Sequence, residues 1–150
     1  MIMCQRPVRC LSNLFVEVED LRTGAVERQE THNLVTTAGL NLVRDRLNAS
    51  AVAALGWLAI GTGTTAVSAA DTELDTETLR GAFTSTTASA GKLTIKYYLD
   101  GATGNSTTLA ECGLFNAAST GTMYARALLA STIAKTSSKA VTFTWEISWT

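Results

Sequence analysis

The final ten residues read "VTFTWEISWT". Val141, Phe143, Trp145, Ile147 and Trp149 alternate with Thr142, Thr144, Glu146, Ser148 and Thr150. One face is wholly apolar and the other wholly polar, the signature of a strand in a sheet packed on one side. The same period of two marks "NLFVEVED", where Leu14, Val16 and Val18 alternate with Phe15, Glu17 and Glu19. "RTG" supplies a turn after it, so the segment through "AVERQETHNLV" reads as a hairpin. In "GKLTIKYYLDG", Leu93, Ile95, Tyr97 and Leu99 share a face opposite Lys92, Thr94, Lys96 and Tyr98. "GWLAIGTG" reads as a short buried strand and "LRGAFTSTTAS" as a further strand. "TLAECGLFNA" and "TMYARALLA", joined by "ASTG", form a second hairpin.

One stretch has a helical period. In "TTAGLNLVRDRLNAS", Thr36 or Thr37 can cap a helix whose apolar stripe is Leu40, Val43 and Leu47 at i, i+3, i+7. Arg44, Asp45 and Arg46 mostly face away from that stripe, and Gly39 weakens the first turn. Many strands with close turns and one helix predict a mainly β domain, an antiparallel β-sandwich with one packed α-helix. Residues 13–150 form that domain. Residues 1–12 lack either period and are expected to form an extended arm.

Composition narrows the function classes. A chain of 150 residues is one domain in size. With 46% hydrophobic and 17% charged residues, it is too apolar for disorder, and much of its surface is expected to meet other protein chains. Lys+Arg 12 against Asp+Glu 13, with no basic block, gives no nucleic-acid footprint. No apolar run approaches the roughly 18 residues of a membrane span. "MIMCQRPVRC" has two arginines but no apolar segment behind them, unlike a secretory leader. Cys4, Cys10 and Cys112 include no CxxC pair. Two readings stand: free thiols in a reducing cytoplasm, or a Cys4–Cys10 bridge formed after release from the cell. Cys112, in "LAECGLF", reads as a small core residue.

The candidate chemistry fails its own requirements. "IGTGTT" lacks the Lys-Ser/Thr end of a phosphate-binding loop, and Ala66 stands where a dinucleotide fingerprint needs its third glycine. Gly61 and Gly63 then read as a sharp turn after a buried strand. The acidic run Asp71, Glu73, Asp75 and Glu77 suggests calcium, but the sixth and twelfth positions from Asp71 are Thr76 and Ala82, where an EF-hand loop needs Gly and Glu. The run reads instead as a short exposed helix or turn, capped by Asp71 and anchored by Leu74. His32 is the single histidine, without a GxSxG partner, and reads as a solvated residue at a strand end. Tyr97, Tyr98, Tyr124, Trp57, Trp145 and Trp149 could line a sugar groove, though alternation sends many of them to the core. No catalytic, metal or cofactor site is expected, and the chain is read as non-enzymatic. In the arm, Arg6 and Arg9 beside the rigid Pro7 are expected to contact carboxylates on a partner surface.

The order "NLVTTAGLNLVRDRL", "LAIGTGTTAVSAADTELDTETLR", "ECGLFNAASTGTMYARALL", "IAKTSSKAVTFTWEIS" resembles a family of small tailed-bacteriophage virion proteins, often described as tail-fibre or fibre-associated. A similar arrangement of helix, glycine turn, acidic segment ending near an arginine, and "E-x-GLF" strand occurs in the particle-proximal domains of tail-collar fibres. The resemblance covers roughly residues 33–149. It implies an assembly module of the virion, put together in the host cytoplasm, with other tail, baseplate or capsid proteins as partners. It also implies a homo-oligomer, with a trimer the expected state. By the same resemblance, Gly61 and Gly63 belong to a structural joint, and Arg80 pairs with Glu77 or Glu73 to fix the loop. Two departures are that the chain ends after "EISWT" without a shaft or tip, and that a cysteine-bearing arm precedes the domain. An adaptor at the tail fibre or baseplate is the first expectation. A capsid decoration protein is the alternative, and a carbohydrate-binding attachment module the third, if exposed aromatics cluster.

Overall fold

A computed structural model describes residues 9–48 and 50–150. It is a sandwich of two five-stranded antiparallel sheets with one helix among the described residues. The first sheet runs β2 (Val26–His32), β1 (Cys10–Asp20), β10 (Lys139–Trp149), β7 (Lys92–Leu99), β6 (Ser85–Ser89). The second runs β3 (Leu34–Val35), β9 (Met123–Lys135), β8 (Thr107–Phe115), β4 (Trp57–Gly61), β5 (Glu77–Ala82). The hairpins expected from alternation are β1–β2 and β8–β9. Gly24, at φ 73°, closes the first in the left-handed region that glycine enters without strain.

The core follows the alternation. Leu14 faces Trp145, Val16 faces Phe143, and Ile95, Tyr97 and Leu99 continue the inner face from β7. The expected single strand "LRGAFTSTTAS" is two strands in different sheets. The chain crosses between them at Phe83 and Thr84, whose amides bond to Gly56 and Lys96 carbonyls.

The described part of the expected arm belongs to the sheet. Cys10, Leu11 and Ser12 open β1, opposite Trp149, Ser148 and Ile147. Arg9 exchanges two backbone hydrogen bonds with Thr150 at 2.8 and 3.0 Å. The buried Trp145 indole donates to Ser12 Oγ at 2.8 Å, so Ser12 satisfies a core donor. A period of two is hard to read in "RCLSN", because Ser12 replaces an apolar residue on the inner face.

Helix α1 (Thr37–Leu47) is where expected, with Thr36 as its cap, but its rotation differs. It buries Gly39 and Leu42, while Leu40 is 56% and Leu47 84% exposed. The reason is Thr36. Its hydroxyl donates to Met123 O at 2.7 Å and accepts from Gly39 N at 2.9 Å, which pins the first turn against β9. The buried face is then set by where a residue without a side chain can touch the strand, and the apolar stripe is turned about a quarter of a revolution outwards.

Candidate functional site

Residues 109–115 of β8 are buried on both faces and residues 123–129 of β9 almost wholly so, which single-sided sheets are not. The cover on the outer face is loop 62–76, the segment that holds the acidic run. Leu74 is its anchor, buried against Ala59, Phe115 and Met123. Gly113 leaves the space that Leu74 occupies.

At the centre of this loop lies Glu111, wholly buried on β8. Its carboxylate accepts from three backbone amides: Gly63 at 3.1 Å, Asp75 at 3.1 Å and Thr76 at 2.7 Å. Arg126 of β9, equally enclosed, donates to Glu111 Oε2 from Nε at 2.8 Å, to Asp71 Oδ2 from Nη1 at 2.9 Å, and to Thr65 O from Nη2 at 3.0 Å. A Cβ on Gly61 would come within 2.5 Å of Glu111 Oε1, and one on Gly63 would overlap the same oxygen. The glycine turn is therefore an anion cradle, filled by the chain's own carboxylate rather than by a phosphate.

The electrostatics agree. Burial works to raise the Asp71 carboxyl pKa, but the Ser68 amide and Arg126 outweigh it and hold it below the usual carboxylate range. Burial likewise works against the Arg126 charge, and the two carboxylates more than restore it. Asp71 does not cap a following helix. The segment is a turn and loop, and Asp71 bonds back to Ser68 N at 2.9 Å.

The rest of the acidic run is divided among neighbours. Asp75 accepts from Thr65 Oγ1 at 2.8 Å, and Glu77 binds Arg80 through two bonds at 2.9 and 2.6 Å. Arg80 also lies 3.6 Å above the Phe115 ring and donates to the Ala117 and Thr120 carbonyls at 3.0 and 2.8 Å. The loop it fixes is thus 116–121, not the acidic loop itself. Among the described residues, no three His, Cys, Asp or Glu side chains converge as a metal-ligand set. Chelator is expected to leave the melting temperature unchanged, and a fall that calcium reverses would contradict this.

The remaining candidates are dispersed. His32 Nδ1 sits 3.0 Å from Asn13 Oδ1 on the surface. Cys112 is in the core, where burial pushes its thiol pKa far up. Cys10 Sγ lies 3.5 Å from the Tyr124 hydroxyl. Cys4, Arg6 and Pro7 lie outside the described residues. Trp145, Tyr97 and Tyr124 are buried, and the exposed Tyr98 and Trp149 lie on opposite faces of their sheet. The aromatic cluster that a sugar platform needs is not formed by them.

Besides the Glu111–Arg126 pair, two further features were not anticipated from the sequence. Lys135, 1% exposed, donates to Asn105 Oδ1 at 3.0 Å and Thr136 O at 3.2 Å, pinning the turn before β8. Burial lowers its pKa, partly offset by Asp100. The other is an apolar groove of about 370 Å³ between α1 and the first sheet, lined by Leu47, Leu55, Phe83, Leu93 and Trp149, with Arg46 its one charged wall residue. No family model, curated protein or solved structure matches the chain.

Proposed function

We propose that this chain is a non-enzymatic structural protein of a tailed-bacteriophage particle, an oligomeric attachment or adaptor module of the tail fibre or baseplate. One observation supports the reading above others. The glycine turn, the acidic segment and the "E-x-GLF" strand, the motifs on which the resemblance rests, meet in one joint around Glu111. Motifs that are weak singly are parts of a single mechanical unit, and that unit uses its charges to hold a loop rather than to meet a substrate. Locating the protein in purified particles tests the proposal. Density confined to the tail fits it, a regular lattice on the head fits a capsid decoration protein instead, and absence from particles refutes both.

The arm supplies a second test. Residues 9–12 belong to the β1–β10 ladder, so the deletion that spares this pairing ends at residue 8. Their deletion is expected to leave the melting temperature within about 2 °C while reducing incorporation into particles, because Arg6 is lost as a partner contact. Deletion through Ser12 is expected to lower the melting temperature clearly, since the Trp145 indole then loses its acceptor. Normal incorporation of the shorter deletion would rule out the arm as an anchor.

A further inference from the structure

The outer face of the first sheet carries its charges in a definite order. Strand register aligns Glu30, Phe15, Thr144 and Lys96 in one row across β2, β1, β10 and β7. Glu30 and Lys96, at the ends of the row, are both exposed. They stand three strand spacings apart, about 14 Å, too far to pair with each other. Among the described residues neither has an ion-pair partner, whereas the charges beside them do: Arg28 holds Glu17, and Lys92 holds Glu146 at 3.0 Å. The adjacent row is Arg28, Glu17, Thr142 and Tyr98, with Tyr98 46% exposed at the end opposite Arg28. A trough of about 630 Å³ lies over the first row, with Phe15, Glu30, Lys96 and Thr144 in its lining.

We propose that this face docks on the same face of a second copy of the chain across a two-fold axis. The axis runs along the strands between β1 and β10, in the plane of contact. It carries β2 of one copy over β7 of the other, and β1 over β10. Glu30 then meets Lys96 of the second copy, and Lys96 meets its Glu30, so one contact forms two ion pairs. Packed sheets stand about 10 Å apart, a gap that a lysine and a glutamate side chain span end to end. Arg28 comes over the Tyr98 ring, where a guanidinium is attracted to the aromatic face. Phe15 comes over Thr144, inside the trough. In the row beyond, Asn13 meets Glu146 and His32 meets Thr94. No like charges are superposed in these rows. The choice of occupant follows from the charge order. Opposite charges stand at mirrored positions about the centre of the face, so the face is complementary to itself, as an isologous interface requires. A partner of one sign would be attracted at one end of the row and repelled at the other.

The inference rests on the oligomeric part of the reading above, and its test separates the two. It predicts a two-fold dimer, where the resemblance implies a trimer. Sedimentation equilibrium of the full chain is compared with Glu30→Lys, with Lys96→Glu, and with the variant carrying both exchanges. Both positions are exposed, and circular dichroism checks that each variant is folded. The wild type is expected to be a dimer. Each single reversal sets like charges against each other at both contacts and should weaken association roughly ten-fold or more. The double exchange puts opposite charges back at both contacts and should restore the dimer. An oligomer that the single reversals leave unchanged, or a double exchange as weak as the singles, overturns the assignment of the surface while leaving the oligomeric reading intact. A wild-type monomer at micromolar concentration overturns both, and the virion reading is then judged by particle composition alone.

Discussion

Replacing Glu111 with alanine is expected to destabilise the domain by about 3–5 kcal/mol, the cost of breaking a buried ion pair from one side. The substitution strands Arg126, which keeps Asp71 and the Thr65 carbonyl but loses its enclosed carboxylate. It also leaves the amides of Gly63, Asp75 and Thr76 without their acceptor. Buried amides left unpaired cost about 1–3 kcal/mol each, so water entry and loop release should relieve part of the strain. Urea denaturation gives the total. Hydrogen exchange at those three amides gives the local effect, which should be the largest in the molecule. Glu111→Gln keeps an acceptor without the charge and should fall between alanine and wild type. A loss below about 1 kcal/mol for alanine would mean that the pair behaves like a surface salt bridge and that Leu74 alone holds the loop.

The strands were legible because they obey a simple rule. β1, β7 and β10 cover the core with one face, so inside and outside alternate in the sequence as they do in space. β8 and β9 break the rule because loop 62–76 covers their second face. The apolar runs "LAECGLF" and "MYARALL" carry that signal, and each contains one charge of opposite sign, Glu111 and Arg126. A lone charge inside an apolar strand is buried only when paired. With the two strands already read as a hairpin, the pair itself was within reach of the sequence. What no pattern revealed is that the carboxylate also fills the glycine turn, since that contact joins residues 48 positions apart through a loop with no regular period. The rotation of α1 was hidden for a different reason. An apolar stripe reports a face that needs cover, and says nothing of whether its own chain provides it.

Gly39 decides that rotation, and its substitution makes the sharpest test of the account. In an exposed helix, Gly→Ala should stabilise by about 1 kcal/mol through helix propensity. Here the sign is expected to reverse. A Cβ at Gly39 would overlap the Tyr124 carbonyl oxygen and lie 2.7 and 2.8 Å from the carbonyl carbon and Cα of the same residue. All three are backbone atoms of β9, and the Tyr124 carbonyl is already held by the Thr36 amide at 3.0 Å, so it cannot swing aside cheaply. Overpacking of this kind costs about 1–3 kcal/mol, and the rigidity of the strand argues for the upper end. Gly39→Ala is therefore expected to lower stability by about 2–3 kcal/mol, while Asn41→Ala, on the exposed face of the same helix, should be neutral or slightly stabilising. The helix in the glycine variant must lift or rotate, which changes the setting of Leu40, Val43 and Leu47 as well. Chemical denaturation reads the first effect and amide hydrogen exchange along α1 the second. An unchanged or raised stability for Gly39→Ala would show that α1 does not touch β9 at this point, and the outward rotation of its apolar stripe would lose its cause.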